Sequence, residues 1–213
     1  MSSYKKAIVF APHTDDGEIG CGGTIVKLIE QGWQVYYAAF SIARTSAVEN
    51  GLPDNILEIE VKAATKVLGI CRENLLIYDY PVRRFPEFRQ DILEEMIKLR
   101  RNIDPDLVFV PSSNDIHQDH QVVASEGLRA FKRHSILGYE EPWNNIVFES
   151  RCFIPLEKRH VERKIEALKR YESQRHRNYL TEAAIWGIAE VRGTQLEGGY
   201  AEAFEVLRWI VNL

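Results

Sequence analysis

His13, Asp15, Asp16 and Glu18 stand within six residues of one another, directly after the apolar run AIVFAP. Gathering an imidazole and three carboxylates beside a hydrophobic core carries a large desolvation cost unless something satisfies them. A divalent metal does so, and a mixed imidazole–carboxylate set suits zinc, with bonds of about 2.0–2.2 Å. A second cluster, NDIHQDH, holds Asp115, His117, Asp119 and His120 and follows the apolar run DLVFVP about a hundred residues later. His117 and His120 lie three apart at the start of a predicted helix, so both can face one cleft.

The elements that must position these groups follow an alternating pattern. Apolar runs at residues 7–12, 35–40, 75–80 and 106–111 read as strands buried on both faces. Between and after them, helical spacing covers residues 24–31, 56–68, 89–101 and 118–131, with Gly32 and Gly69 as C-terminal stops. Residues 145–149 are expected to form a fifth strand. Such alternation implies right-handed crossovers and a Rossmann-like, doubly wound α/β fold: a mostly parallel sheet with helices on both faces. Helical patterns at 162–171 and 181–191 and a mixed apolar segment at 200–210 read as a C-terminal substrate-side extension. One domain is therefore expected over residues 1–213, with its core at about 1–150 and the extension at about 151–213. Open α/β sheets bind ligands at the carboxyl ends of their strands, beside the point where strand order reverses. Both polar clusters follow strands, so they are expected to meet there.

Composition narrows the classes. The chain has 213 residues, 45% hydrophobic and 27% charged, with a net charge of -4, as an ordinary globular protein does. No long basic run provides the footprint of a nucleic-acid binder. Three widely spaced cysteines form neither a disulfide framework nor a CxxC zinc site, and each is expected to be a small, mostly buried side chain. The first apolar run is too short for a signal peptide, and no run approaches the ~18 apolar residues of a membrane span. A cytoplasmic protein without an integral membrane segment is the expectation. The composition is also compatible with a homo-oligomer.

The two clusters resemble the PIG-L (LmbE-like) family of N-deacetylases, whose motifs have the forms A-H-P-D-D-x-E and H-x-D-H. Here they read PHTDDGEIGCGGT and HQDH. The resemblance continues through Glu60–Ala64 with Leu68-Gly69, through DPDLVFVP at 104–111, through Lys164–Leu168 with Ser173-Gln174, and through Tyr200–Phe204. Thr14 departs from the family's usual proline, at a spacer position. The resemblance implies a hydrolase that removes an N-acetyl group from an amino sugar or glycoconjugate. It makes His13, Asp16 and His120 the metal ligands, leaving a position open for water and substrate, as catalytic zinc requires. Iron(II), cobalt or manganese suit such a site as well. Asp15 becomes the general base. His117 becomes the stabiliser of the tetrahedral oxyanion, as imidazolium, unless it only caps its helix or supplies a fourth ligand. Asp119 would orient a histidine, His117 above all. Arg44, past the second strand, is placed on the cleft rim as a contact for the N-acetylated sugar substrate, and Tyr200–Glu202 form a weaker candidate.

Two other classes compete. A nicotinamide enzyme would need G-x-G-x-x-G, whereas the glycines here fall at 17, 20, 22 and 23 and no acidic residue closes the second strand. A non-catalytic carbohydrate- or nucleotide-binding module on the same fold would have no use for Asp15 beside a full ligand set.

Overall fold

The computed structural model describes residues 5–211. Seven strands form one sheet in the order β3-β2-β1-β4-β5-β7-β6. They are β1 (Lys6–His13), β2 (Gln34–Ser41), β3 (Leu75–Ile77), β4 (Leu107–Pro111), β5 (Ser135–Tyr139), β6 (Cys152–Leu156) and β7 (Tyr200–Arg208). The first five run parallel, and β7 pairs antiparallel to both β5 and β6. Strand order reverses between β1 and β4, whose residues pair as Ala7↔Leu107, Ile8↔Val108 and Val9↔Phe109. The Rossmann-like arrangement read from the sequence is the fold.

The apolar strands are buried on both faces because helices cover both. On one side Ala7, Val9 and Ala11 pack with Ile25 of α1 (Asp16–Glu30), Val61 of α3 (Ile56–Leu68) and Ala167 of α6 (Lys158–Leu168). On the other, Ile8 and Phe10 meet Met96 of α4 (Arg89–Ile103) and Val123 of α5 (Gln118–Ala130). A short helix, α2 (Arg44–Glu49), follows β2, and α7 (Glu182–Gly193) joins a smaller apolar cluster with Ile19 and Leu156.

Three expectations change. Strand five is Ser135–Tyr139, not 145–149; the latter segment is a loop with Ile146 and Val147 exposed. The glycine-rich stretch is already helix, since α1 begins at Asp16 and kinks at Cys21. Its glycines serve close packing: a Cβ on Gly20 would stand 2.2 Å from the Tyr139 ring, and one on Gly17 would stand 2.5 Å from Tyr37. The last third, read as an extension outside the core, supplies β6 and β7 to the same sheet and some of the residues that line the cleft. Of the cysteines Cys21 is buried and Cys71 exposed, and all three are unbridged. Among the described residues no helix is long and apolar enough to cross a membrane.

Candidate active site

β1 and β4 are neighbours, so the turn after each opens on the same end of the sheet. There His13 Nδ1, Asp16 Oδ2 and His120 Nε2 form a triangle with sides of 3.2, 3.2 and 3.3 Å. Tetrahedral donors about 2.0–2.1 Å from zinc stand roughly 3.3–3.4 Å apart, so this triangle is a face on which a divalent cation fits. Each histidine is oriented from behind. The far nitrogen of His13, Nε2, donates to Asp119 Oδ2 at 3.0 Å, and Nδ1 of His120 donates to Asp115 Oδ2 at 2.8 Å. With the far nitrogens donating to these carboxylates, the near nitrogens of both rings, which here face Asp16, are the ones a cation would use in place of a proton.

The charges agree with that geometry. Burial works to keep His13 neutral, but the Asp16 carboxylate, with help from Asp119, raises its pKa to about 9. Burial works the same way on His120, and Asp16 with Asp115 carries it to about 10. Burial opposes ionisation of Asp16 itself, yet the two imidazoles hold it well below the usual carboxylate range. The pocket is built for positive charge between these three groups.

Asp119 departs from its expected task. Its carboxylate takes His13 and the backbone N–H groups of Arg83 (2.6 Å) and Phe85 (3.1 Å), while only its own N–H reaches His117, at Nδ1 (3.2 Å). His117 is the N-cap of α5, and there a ring nitrogen can serve a backbone donor that the helix leaves unpaired. The carboxylate two residues on is left to face the loop at 83–85. Burial, together with His13 and His120 nearby, lowers the pKa of His117 to about 4, so the ring is neutral rather than the expected imidazolium. A neutral ring that accepts at Nδ1 carries its proton on Nε2. His13, His117 and His120 still bring ring nitrogens within 4.8 Å of one another.

Asp15 is half-buried at the cleft, and its carboxylate makes no hydrogen bond to another of the described residues and does not cap the helix. Burial and the adjacent Asp16 raise its pKa to about 6. The cleft, a cavity of about 700 Å³, is lined by these groups and by Arg83, Trp143, Arg177 and Tyr179. Glu18 lies beneath it, raised to about 8 by burial and held by the hydroxyls of Tyr37 and Tyr171.

Arg44 does not line the cleft. It turns outward to Asp79 (2.6 Å) and Asp54 (2.9 Å), because it opens α2, and Ala43, Ser46 and Ala47 are the residues that face inward. Arg44→Gln is accordingly expected to change kcat/KM for the substrate less than threefold, which steady-state kinetics will check; a loss of tenfold or more would restore Arg44 to the site. Arg83, whose left-handed φ of 67° presents its N–H to Asp119, and Arg177 are the arginines that line it instead. Tyr200–Glu202 stand outside the cleft lining; Glu202 binds the N–H groups of Gly23 and Thr24 just past the kink in α1. Reading the sequence also left Asp115, His176, Arg177, Trp143 and Tyr179 without roles. Only Asp115, five residues before His120, carried a usable signal. Asp115→Asn and Asp119→Asn are each expected to weaken zinc affinity about 10–100-fold, as measured by chelator competition. Unchanged affinity in both variants would remove them from the support of the metal site.

The PIG-L family, described as GlcNAc-PI de-N-acetylase, matches the chain over residues 8–131. YaiS of Escherichia coli K12, named an uncharacterized deacetylase, is 28% identical over 174 residues, which cover 79% of this chain and 91% of YaiS. The diacetylchitobiose deacetylase of Thermococcus kodakarensis is 25% identical over 157 residues, 67% of this chain and 58% of that one. Among solved structures, GalB of Pseudomonas putida KT2440, a 4-carboxy-2-hydroxymuconate hydratase, superposes with a TM-score of 0.79 at 20% identity, over 98% of this chain and 99% of that one. That likeness is one of fold. The family match takes in both clusters, with His13, Asp16 and His120 inside it, and the chain belongs to the PIG-L family.

Proposed function

We propose that this chain is a metal-dependent N-deacetylase acting on an N-acetylated amino sugar or its glycoconjugate. The observation that carries the proposal is the His13–Asp16–His120 triangle with an unpaired carboxylate, Asp15, beside it in an open cleft. Family membership and the deacetylase relatives support the reaction class. The three donors suit zinc, and iron(II), cobalt or manganese also accept such a set. When bound, the cation supplies Lewis acidity to the acetyl carbonyl and eases deprotonation of water.

The remaining steps belong to the side chains. Asp15, raised by burial and by Asp16 and unpaired with any other described residue, takes the proton of the attacking water. His117 donates from Nε2 to the carbonyl oxygen as charge builds on it. Its Nδ1 is engaged by the Asp119 N–H, which favours this role over that of a fourth ligand, since both nitrogens of a neutral ring cannot offer lone pairs. Asp119 and Asp115 act on His13 and His120 as positioning residues. The proton on Asp15 then passes to the leaving nitrogen, and acetate and a free amine depart.

The decisive experiment is acetate and amine release from N-acetylglucosamine and N,N'-diacetylchitobiose, with and without chelation followed by return of zinc. Metal-restored release of both products in equal amounts is expected. Sugar binding without release would favour a non-catalytic module. Because the fold also carries a hydratase, addition of water to an unsaturated acid without acetate release would overturn the deacetylase reading. A cytoplasmic location belongs to the same proposal and is checked by cell fractionation.

A further inference from the structure

We propose that Trp143, Tyr179 and Arg177 form the subsite that receives the pyranose ring of the substrate and so determine its specificity. The choice of a sugar rests on the deacetylase reading; the existence of a ring-binding wall rests on geometry. The Trp143 and Tyr179 rings stack with centroids 3.6 Å apart and planes 16° from parallel. The Arg177 guanidinium stands 5.7 Å from the centre of the Tyr179 ring, which extends the ladder by one cationic rung. All three line the cleft that holds Asp15 and the metal triangle.

The two halves of the ladder come from different segments, and each is tied to a part of the core. Trp143 precedes Asn144, whose carbonyl accepts the Ile116 N–H and whose amide reaches Asp115 Oδ2 at 3.5 Å, so this loop is joined to the second histidine motif. Tyr179 and Arg177 follow Ser173, whose N–H and hydroxyl both donate to Glu60 of α3, at 2.9 and 2.6 Å. A wall held at both ends is pre-organised, and little ordering entropy remains to be lost on binding.

Chemistry then selects the occupant. Both rings are only half-buried although they touch an apolar cluster, so they keep aromatic surface toward the cleft. Apolar surface beside a few convergent polar groups is the make-up of a small-molecule site. A pyranose offers the matching object, an apolar face of C–H groups rimmed by hydroxyls. Arg177 forms no ion pair among the described residues; its Nε donates to Gln174 and its other donors remain for hydroxyl oxygens.

The test is Trp143→Ala and Tyr179→Leu, with Trp143→Phe as the conservative control, assayed on N,N'-diacetylchitobiose. KM is expected to rise tenfold or more in the first two, with kcat within threefold of wild type, and Trp143→Phe should hold KM within threefold. In parallel, calorimetry on an Asp15→Asn background is expected to show N-acetylglucosamine binding at least tenfold more weakly when Trp143→Ala is added. Tyr179→Leu retains packing volume, so it decides the matter if Trp143→Ala fails to fold. Unchanged KM and Kd in a folded variant, or a fall in kcat at constant KM, would overturn the subsite. Should wild type release no acetate, the deacetylase reading fails, and calorimetry still judges the ladder: loss of sugar binding in the variants upholds it, and absence of binding on the Asp15→Asn background sinks it.

Discussion

Asp15→Ala is expected to lower kcat by about 10²–10⁴-fold, the usual contribution of a positioned general base, while the protein keeps its cation and its melting temperature. The separation of these effects follows from where Asp15 stands. It is no vertex of the donor triangle, which His13, Asp16 and His120 complete without it. It caps nothing and bonds nothing among the described residues, so its loss leaves no buried partner unsatisfied. Loss of the metal in step with activity would instead make Asp15 a ligand, and equal rates in both proteins would remove it from catalysis. The pH profile gives an independent check. A base works only as its carboxylate, so kcat/KM must fall as pH drops through its pKa, about 6 in this structure. A cation on the neighbouring triangle favours the carboxylate and moves that acid limb lower. The limb is expected in the wild type and absent from the residual activity of Asp15→Ala.

Glu202→Ala is expected to cost about 3–5 kcal/mol of stability, because it leaves a buried charge without its partner. Glu202 Oε1 takes Lys164 Nζ at 2.7 Å and the Gly23 N–H at 3.0 Å, and Oε2 takes the Thr24 N–H at 2.7 Å. Glu202 and Lys164 are 6% and 7% exposed, so water cannot readily replace either partner. The two N–H groups belong to the restart of α1 after its kink at Cys21, where no earlier turn supplies acceptors. For a domain of this size such a loss lowers the melting temperature by about 10 °C. Denaturant unfolding will measure it. Pairing Glu202→Gln with Lys164→Met removes the charge from both sides and should recover much of the deficit. A loss below 1 kcal/mol in Glu202→Ala would show that the carboxylate is not what holds the restarted helix. This residue, first considered for the substrate, is thus assigned to architecture.

What could be read from the chain alone was whatever local pattern encodes. Helix α3 occupies residues 56–68 as its spacing predicts and stops at Gly69, whose φ of +92° suits glycine. Strand β1 is apolar at every core position because it is covered on both faces, and that continuous run is visible in the sequence. The two clusters were legible because motif and strand end coincide twice. Strand β5 was not, since SILGY follows a helix after only a few polar residues and has no alternation to mark it. Nor was the helicity of the glycine-rich turn, which depends on Tyr37 and Tyr139 lying against it.

The partners of the site groups were decided only by the tertiary fold. Asp119 serves His13, 106 residues away, and not His117, two residues away, because the loop at 83–85 and the turn after β1 converge on its carboxylate. Arg44 is drawn outward by Asp54 and Asp79, and residues 143, 177 and 179 line the cleft where it does not. Periodicity and motif spacing act along a few turns of chain, so the sequence by itself determined the elements and the chemistry at their ends. Which side chains meet across the cleft depends on strand order, register and loop paths, and those exist only once the core has packed.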